Sequence, residues 1–312
     1  MEFKLYVLGT ASALPVKQRF PSAYVLSVRG RLFLIDCGEG CQMRMRRMGI
    51  SILKIDTILI SHIHGDHIFG FFGLITTMGM LGRRAPLHVY APRAFSSVLK
   101  FVLSFFGEGL KFPVEMHVVK TAAPECILES KSVEVLAFPL KHRIETYGYI
   151  IREKEPLYNV HKDLIERHGL TLREIGLLKQ GVSVTREDGS VLDASVFAYK
   201  PYIPRSFAYC SDTAPFPELS GWVKGVSLMF HESTYASDMK DLAVATYHST
   251  AKDAAECASG AGVGKLLLGH YSSRYLSLEP FINEAKAIFE NTVLASDGDV
   301  VEVPLVTRKV SF

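Results

Sequence analysis

Short runs of apolar residues, bounded by Gly, Pro and Asp, recur along the chain and alternate with segments of helical periodicity. The runs predict β-strands, and the segments in which apolar residues return every three or four positions predict helices. Because the two kinds of element are mixed over the whole length, the pattern indicates an α/β layered fold. The predicted strands are Phe3–Leu8, Ala23–Val28, Arg31–Ile35, Ile55–Ile60, Leu87–Tyr90, Val133–Phe138, Phe207–Cys210, Val226–Phe230 and Lys265–Leu268, and the predicted helices are Cys41–Met48, Ile68–Leu81, Arg93–Phe106, Thr250–Ala261 and Glu279–Asn291.

One segment, from Arg152 to about Leu192, departs from this pattern because it is polar and charged. It contains a short amphipathic stretch, Val160–His168, and a turn signal at Asp188-Gly189. Its apolar residues are too sparse to predict a hydrophobic core of its own. Two interpretations stay open, a solvated surface excursion and a protruding arm that contacts a partner, since basic and acidic residues balance within the segment.

The composition excludes several classes of protein. With 312 residues, of which 48% are hydrophobic and 11% aromatic, the chain can bury a core and does not resemble a disordered protein. Its longest uncharged stretch, Ile68 to Gly82, is interrupted by glycines and is shorter than the roughly 18 residues of a membrane span. The first residues lack the pattern of a signal peptide. We therefore expect a cytoplasmic protein without a membrane partner.

The cysteines and the charge narrow the picture further. Five cysteines without a CxxC pair indicate reduced thiols rather than disulfides, and they disfavour a cysteine-based zinc site. The net charge of +3 neither requires nor excludes a nucleic-acid partner.

Three histidines and an aspartate lie close together directly after the fourth predicted strand. In an extended chain, residues two positions apart face the same side, so His62 and His64 can hold one metal ion. Gly65 permits a sharp turn, which lets Asp66 and His67 face a second ion. So many ligands at the end of one strand indicate a metal site rather than ordinary surface histidines.

Two four-coordinate sites need more ligands than this motif contains. His142, Asp212 and His270 each follow an apolar run that predicts a strand, and α/β sheets place their functional residues at such strand ends. A carboxylate such as that of Asp212 can bridge two cations, whereas an imidazole cannot. Asp36 also follows a strand, and we expect it to orient a ligating histidine rather than to bind metal.

The order HxHxDH, followed by a distant His, Asp and His, resembles the ligand order of the metallo-β-lactamase superfamily. The resemblance implies a four-layer αβ/βα sandwich, formed by a single domain over residues 1–312 with an arm inserted at about 152–192. It also implies two zinc ions per subunit, although nitrogen and oxygen ligands do not fix the identity of the metal, and Mn²⁺ or Fe²⁺ stay open. By this resemblance the first ion is held by His62, His64 and His142, the second by Asp66, His67 and His270, and Asp212 bridges them.

The chain contains four further motifs, which are DCGEGCQ from Asp36, PxKxR from Pro15, HEST from His231 and HST from His248. Together they resemble motifs of ribonuclease Z, the endonuclease family that trims the 3′ end of precursor tRNA. Phe20 stands where that family has Asn after its PxKxR loop, and the charged segment lies where bacterial members insert a tRNA-binding arm. The resemblance thus implies precursor tRNA as substrate and a homodimer.

The function implied by this resemblance is removal of the 3′ trailer of precursor tRNA by metal-hydroxide attack on a phosphodiester, leaving a tRNA 3′-hydroxyl. Asp66 is the candidate general base. His248 is the candidate acid for the leaving ribose oxygen, because no zinc ion requires it and imidazole titrates near neutrality. Glu232 could orient or charge that imidazole, and His231 could do so instead.

Binding of RNA should depend on contacts with phosphates. The candidate residues are Lys17 and Arg19 in the PxKxR loop and Arg274, which follows His270 closely.

Two other functions stay open. A phosphodiesterase or esterase of the same fold, acting on small molecules or nucleotides, would need the same metal ligands. It would hydrolyse bis(p-nitrophenyl) phosphate without cleaving structured RNA. A tRNA-binding protein without activity would not need those ligands, and analysis of bound metal would identify it.

Overall fold

The computed structural model describes residues 2–14 and 16–307, so Pro15 of the PxKxR motif lies outside the described residues. The chain divides into two compact units. Among the described residues, the first covers those up to Arg152 together with Ser206–Val303, and the second covers Glu153–Arg205 together with those from Pro304 on. Over the described ranges, no helix combines the length and the apolar character that crossing a membrane requires.

The strands and helices follow the apolar pattern of the sequence. In chain order the strands are β1 (Phe3–Gly9), β2 (Ala23–Val28), β3 (Arg31–Ile35), β4 (Ile55–Leu59), β5 (Leu87–Pro92), β6 (Val114–Val119), β7 (Glu125–Glu129), β8 (Val133–Pro139), β9 (Tyr147–Glu153), β10 (Asn159–Val160), β11 (Val184–Thr185), β12 (Val191–Leu192), β13 (Ala198–Tyr199), β14 (Ser206–Cys210), β15 (Leu228–Glu232), β16 (Leu266–Gly269), β17 (Thr292–Leu294) and β18 (Val300–Glu302). The helices are α1 (Cys41–Arg47), α2 (Gly65–Met80), α3 (Arg93–Phe106), α4 (Lys162–Arg167), α5 (Leu172–Lys179), α6 (Ala194–Phe197), α7 (Glu218–Trp222), α8 (Lys240–Thr246), α9 (Ala251–Ala261) and α10 (Glu279–Lys286).

Two seven-stranded sheets form the first unit. Their strand orders are β18-β1-β2-β3-β4-β5-β6 and β17-β16-β15-β14-β9-β8-β7. Strands β3 to β6 are parallel, as are β14 to β17. In each parallel set the carboxyl ends of the strands therefore lie at one edge of the sheet, where the polar residues that follow them can meet.

The two sheets pack face to face over an aromatic core. Tyr24 of β2 contacts Tyr209 of β14 and Phe230 of β15, with ring centroids 5.4 and 4.7 Å apart. The other face of the first sheet buries its apolar side chains against α1, α2 and α3, and that of the second sheet against α9 and α10. This arrangement of helix, sheet, sheet and helix confirms the four-layer αβ/βα sandwich predicted from the sequence.

The element predictions differ from the structure mainly at sheet edges. The helix Arg93–Phe106 has the predicted bounds, whereas the last helix ends at Lys286 rather than at Asn291. Strands β6 and β7 were not predicted because they are edge strands, half exposed, and carry charged residues among their apolar ones. Strand β9 was also missed.

The second unit has a small hydrophobic core, so the expectation that this segment lacks one is wrong. Leu170, Leu178 and Leu192 are buried in it. The chain continues past Leu192 into α6 and β13, and this continuation supplies Phe197 and Ala198 to the same cluster. The predicted turn at Asp188-Gly189 is confirmed between β11 and β12, where Gly189 has a φ of 81°.

A buried ion pair also holds the second unit together. The Arg205 guanidinium lies 2.8 Å from the Glu153 carboxylate, and both side chains are almost fully buried. These residues stand at the two ends of the excursion from Glu153 to Arg205, so their pairing closes it. Whether this unit is the substrate-binding arm stays a prediction.

Candidate metal centre

The HxHxDH motif lies at the turn between β4 and α2. His62 and His64 follow the strand, with 3.0 Å between His62 Nε2 and His64 Nδ1. Helix α2 begins at Gly65, which places Asp66 and His67 in its first turn. A carboxylate in that position also interacts favourably with the helix dipole. The local fold therefore directs these four side chains toward one region.

The second sheet brings the remaining candidate ligands to the same place. His142 follows β8, Asp212 follows β14 and His270 follows β16. The side chains lie in two groups, and within each group the ligand atoms are within 4.8 Å of one another. The groups are His62, His64, His142 and Asp212, and Asp66, His67 and His270.

The Asp212 carboxylate faces both groups. Its Oδ2 lies 3.6 Å from Nε2 of His62 in the first group. Its Oδ1 lies 3.3 Å from Nε2 of His270 and 3.6 Å from Nε2 of His67 in the second. One carboxylate oxygen is thus available to each group.

Several atoms of this centre are buried without a hydrogen-bond partner among the described residues. They are Nε2 of His67, His142 and His270, and Oδ1 of Asp212. An unpaired buried polar group costs about 1–3 kcal/mol, so four together would be a large penalty in a protein without a ligand here. Lone pairs of imidazole and carboxylate that meet in one space fit divalent metal ions.

Asp36 orients a histidine of the centre through a hydrogen bond, as its position after β3 predicted. Its Oδ2 accepts hydrogen bonds from His67 Nδ1 and from the Tyr209 hydroxyl, each 2.7 Å long. Ser61 donates to the same carboxylate through its backbone N–H and its hydroxyl. Because Nδ1 of His67 donates to Asp36, its Nε2 is left for a metal ion.

Burial disfavours a proton on His67, but Asp66, Asp212 and Asp36 outweigh burial and raise the pKa of His67 to about 10. A cation at this imidazole would therefore have to displace a proton. Burial, together with the neighbouring imidazoles of His67 and His64, lowers the pKa of His62 well below its ordinary value.

His248 lies against Glu232, and one of its ring nitrogens is also within 4.8 Å of ligand atoms of Asp212 and His270. The distance from His248 Nδ1 to Glu232 Oε1 is 3.0 Å. His231, the alternative partner, instead donates from Nδ1 to the backbone carbonyl of Glu232. Burial opposes protonation of His248, but the Glu232 carboxylate raises its pKa to about 9. The structure thus pairs His248 with Glu232.

Thr234, the last residue of the HEST motif, connects this pair to the ligands, a role that was not predicted. Its hydroxyl donates to Glu232 Oε2 over 2.8 Å and lies 2.9 Å from Nδ1 of His270. Since the hydroxyl donates to the carboxylate, it accepts from His270, which leaves Nε2 of that ring facing Asp212.

Some residues of the centre have unusual backbone conformations. Asp36 and His270 have φ values of 51° and 62°, in the left-handed region that non-glycine residues seldom adopt. Tyr247, whose carbonyl accepts from His142 Nδ1 over 2.9 Å, has a φ of 59°. Such strain concentrates at functional sites.

The centre opens into a cleft of about 630 Å³. Arg143 and Phe69 line it and were not predicted as site residues, although Arg143 adjoins His142 and Phe69 follows Asp66 by three positions. The Phe69 side chain is 63% exposed. Lys17 and Arg19 line a second cleft of about 410 Å³. Arg274 is exposed, and its chain neighbours Ser273 and Tyr275 line the same cleft.

The chain is similar to several known proteins. A family model described as "Anti-Pycsar protein Apyc1" matches residues 3–154. Ribonuclease Z of Bacteroides thetaiotaomicron is 38% identical over 302 residues, which cover 97% of this chain and 96% of the relative. The crystal structure of the short form of human tRNase Z matches with a TM-score of 0.70 and 23% identity, over 96% of this chain and 99% of the other. The metallo-β-lactamase fold protein YhfI from Bacillus subtilis matches with a TM-score of 0.69 and 18% identity, over 97% of this chain and 100% of the other.

Proposed function

We propose that the protein removes the 3′ trailer of precursor tRNA and leaves a 3′-hydroxyl on the tRNA. The proposal starts from the fact that the chain belongs to the ribonuclease Z family. Membership of that family makes the protein a metal-dependent endoribonuclease, a phosphodiesterase of metallo-β-lactamase fold. The observation that carries the finer proposal is the pair of ligand groups that share the two oxygens of Asp212.

We assign two zinc ions per subunit to these groups. When bound, the ions supply Lewis-acid charge to a phosphodiester and to its nucleophilic water. In this assignment the first ion is held by His62, His64 and His142, the second by Asp66, His67 and His270, and both by Asp212.

Asp66 is positioned to accept a proton from the attacking water. Its Oδ2 accepts a hydrogen bond from the backbone N–H of Ala13 over 2.8 Å, and the side chain lines the cleft. Burial raises the pKa of this carboxyl, but the imidazoles of His67 and His270 hold it well below its usual range. Asp66 is therefore ionised, the state that a metal ligand and a hydrogen-bond acceptor for the attacking water both need.

His248 is positioned to give a proton to the departing ribose oxygen. Its Nδ1 is bound to Glu232, so Nε2 is the atom that can donate, and the ring lines the cleft. With a pKa of about 9, the imidazole carries a proton at neutral pH. Glu232 acts through His248, by fixing and charging the ring.

We assign binding of the RNA backbone to Lys17, Arg19 and Arg274, which would make binding depend on salt. Arg19 is held in place, since its guanidinium donates to the carbonyl of Tyr275 over 3.1 Å. We also propose that the second unit binds tRNA and that the protein works as a homodimer in the cytoplasm.

A second candidate function is hydrolysis of small phosphodiesters or nucleotides. The size of the cleft favours it, because about 630 Å³ lies within the range of small-molecule sites, about 300–1,000 Å³. The metal ligands would be the same, and only the substrate would differ.

One experiment separates the two functions. The full-length, zinc-loaded protein is incubated with a 3′-extended precursor tRNA and, in parallel, with bis(p-nitrophenyl) phosphate, each with and without a chelator. We expect a discrete cut near the discriminator base that disappears on chelation, when products are resolved at single nucleotides. Hydrolysis of the small ester without cleavage of the tRNA would overturn the substrate assignment and leave the metal assignment in place.

A further inference from the structure

A second cluster of ligand side chains lies away from the cleft, at the edge of the first sheet. Strands β5 and β6 pair in parallel there, and β6 is the edge strand. In the register of this pair His88 stands opposite Glu115, and Tyr90 stands opposite His117. Residues two positions apart share a face of a strand, so the two strands present all four side chains on one face.

The apolar side chains of β5 pack on the face opposite to the cluster, so the cluster face is left for a ligand. Leu87 and Val89 are fully buried in the core that includes α3. His88 alternates with them and is partly exposed, with 36% of its side chain accessible, and Glu115 is 46% accessible. The cluster is thus built on a rigid, packed strand and still open to solvent.

The distances in the cluster match those between ligands of one small cation. His88 Nδ1 lies 3.2 Å from His117 Nε2 and 3.2 Å from Glu115 Oε2. One ligand atom from each residue lies within 4.8 Å of the other two. Tetrahedral zinc with bonds of about 2.0–2.1 Å separates its ligand atoms by about 3.3 Å, so little movement would be needed.

The orientation of one ligand is fixed independently of any ion. The ring of Tyr90 stacks on His117, with centroids 4.5 Å apart and planes inclined by 15°. Stacking limits rotation of the imidazole, and that lowers the entropy lost when it binds.

We propose that His88, Glu115 and His117 form a further binding site for a divalent transition-metal ion, with zinc as the reference case. Two imidazoles and a carboxylate are a donor set of such ions, and three protein ligands leave a coordination position for water. None of the three residues belongs to the groups around Asp212, so this site is separate from the catalytic centre.

An ion in this site would tie β5 to β6. The two strands are connected through α3, so the ion would close the β5–α3–β6 crossover at its base. A ligand that binds the folded state stabilises it by mass action. Zinc should therefore raise the melting temperature through this site as well as through the centre.

The test counts metal ions on the full-length protein. Protein stripped with a chelator is dialysed against Zn²⁺ and analysed for bound metal, as wild type and as the double variant His88→Ala, His117→Ala. We expect the double variant to bind one zinc ion fewer per chain. The matched control His168→Ala removes an exposed histidine that belongs to no ligand group among the described residues, and it should bind as many ions as the wild type. Equal counts in the wild type and the double variant would overturn the proposal.

A second variant tests the carboxylate without altering either histidine. Glu115→Gln keeps the size of an exposed side chain and removes its charge, so folding is not at stake. Calorimetric titration with Zn²⁺ should show that the weakest of the bound ions loses at least about tenfold in affinity, as loss of a metal-site contact does. Unchanged affinity for every ion would refute Glu115 as a ligand and with it the site as proposed. Hydrolysis of bis(p-nitrophenyl) phosphate serves as the folding control.

Discussion

The metal centre and the edge cluster of His88, Glu115 and His117 share one feature of sequence spacing. Each uses two ligand residues that are two positions apart, His62 and His64 after β4 in the first case and Glu115 and His117 on β6 in the second. The centre is buried between the ends of two sheets, whereas the cluster lies on an edge strand and is half exposed.

What differs is the support behind the ligands. In the centre, the ring nitrogen that does not face the metal groups is bound by protein: His67 by Asp36, His270 by Thr234 and His142 by the carbonyl of Tyr247. In the edge cluster the two imidazoles contact each other and the Tyr90 ring. Such supporting contacts fix the orientation of a ligand, so we expect the centre to bind its ions tightly and the edge cluster to exchange its ion more readily.

Removal of the shared carboxylate should have the largest effect. In Asp212→Ala both groups of the centre lose a ligand, so we expect loss of both central ions and of all measurable hydrolysis of bis(p-nitrophenyl) phosphate. The edge cluster should keep its ion, which leaves about one zinc per chain by elemental analysis. Full occupancy of the centre in this variant would contradict the bridging role, and Asp163→Ala, an exposed aspartate, is the control.

Removal of the proposed acid should affect catalysis and spare the metals. We expect His248→Ala to keep its zinc content and to cleave precursor tRNA about 10²–10⁴-fold more slowly, the usual contribution of general acid catalysis. Single-turnover kinetics with metal analysis of the same sample measures both quantities. Turnover equal to that of the wild type would exclude His248 as the acid.

Weakening a hydrogen bond that supports a ligand should have an intermediate effect on metal binding. Asp36→Asn keeps the shape of the side chain and tolerates the left-handed backbone, but it weakens the support of His67. We expect the centre to lose about 10–100-fold in zinc affinity, measured by competition with a chromophoric chelator. If the affinity stays at the wild-type value, the difference in support does not explain the difference between the two sites.

The smallest effect is expected at the edge cluster. Without zinc, His117→Ala should lower the free energy of unfolding by about 1 kcal/mol, since the residue is half-buried and its ring stacks on Tyr90. With zinc, the variant should gain less stability than the wild type. Denaturant titrations with and without zinc measure both, and an equal gain from zinc in the two proteins would speak against the edge site.

The sequence predicted the centre better than its surroundings because the ligands obey local rules. His62, His64, Asp66 and His67 stand together in the chain, and the strand-end rule places His142, Asp212 and His270 beside them. The roles of Thr234 and Ser61 could not be predicted, since each depends on hydrogen bonds between segments that only the packed sheets bring together.

The edge cluster was missed for a related reason. His88 and His117 are 29 positions apart, and their proximity follows from the register of two strands. The second of these strands was not predicted, because an exposed edge strand has a weak apolar pattern. The core of the second unit was missed similarly, since half of it lies beyond the segment whose composition was unusual.

The left-handed backbone at Asp36 and His270 sets conformational strain against the function of the side chain. A glycine at either position would relieve about 1–2 kcal/mol of conformational strain, yet it would delete a side chain of the centre. Glycine would also leave the buried partners of these side chains without their hydrogen bonds, so backbone strain and side-chain bonding oppose each other at both positions. In the terms of folding landscapes, these two positions are locally frustrated, and the stability of the rest of the fold maintains their strained backbone.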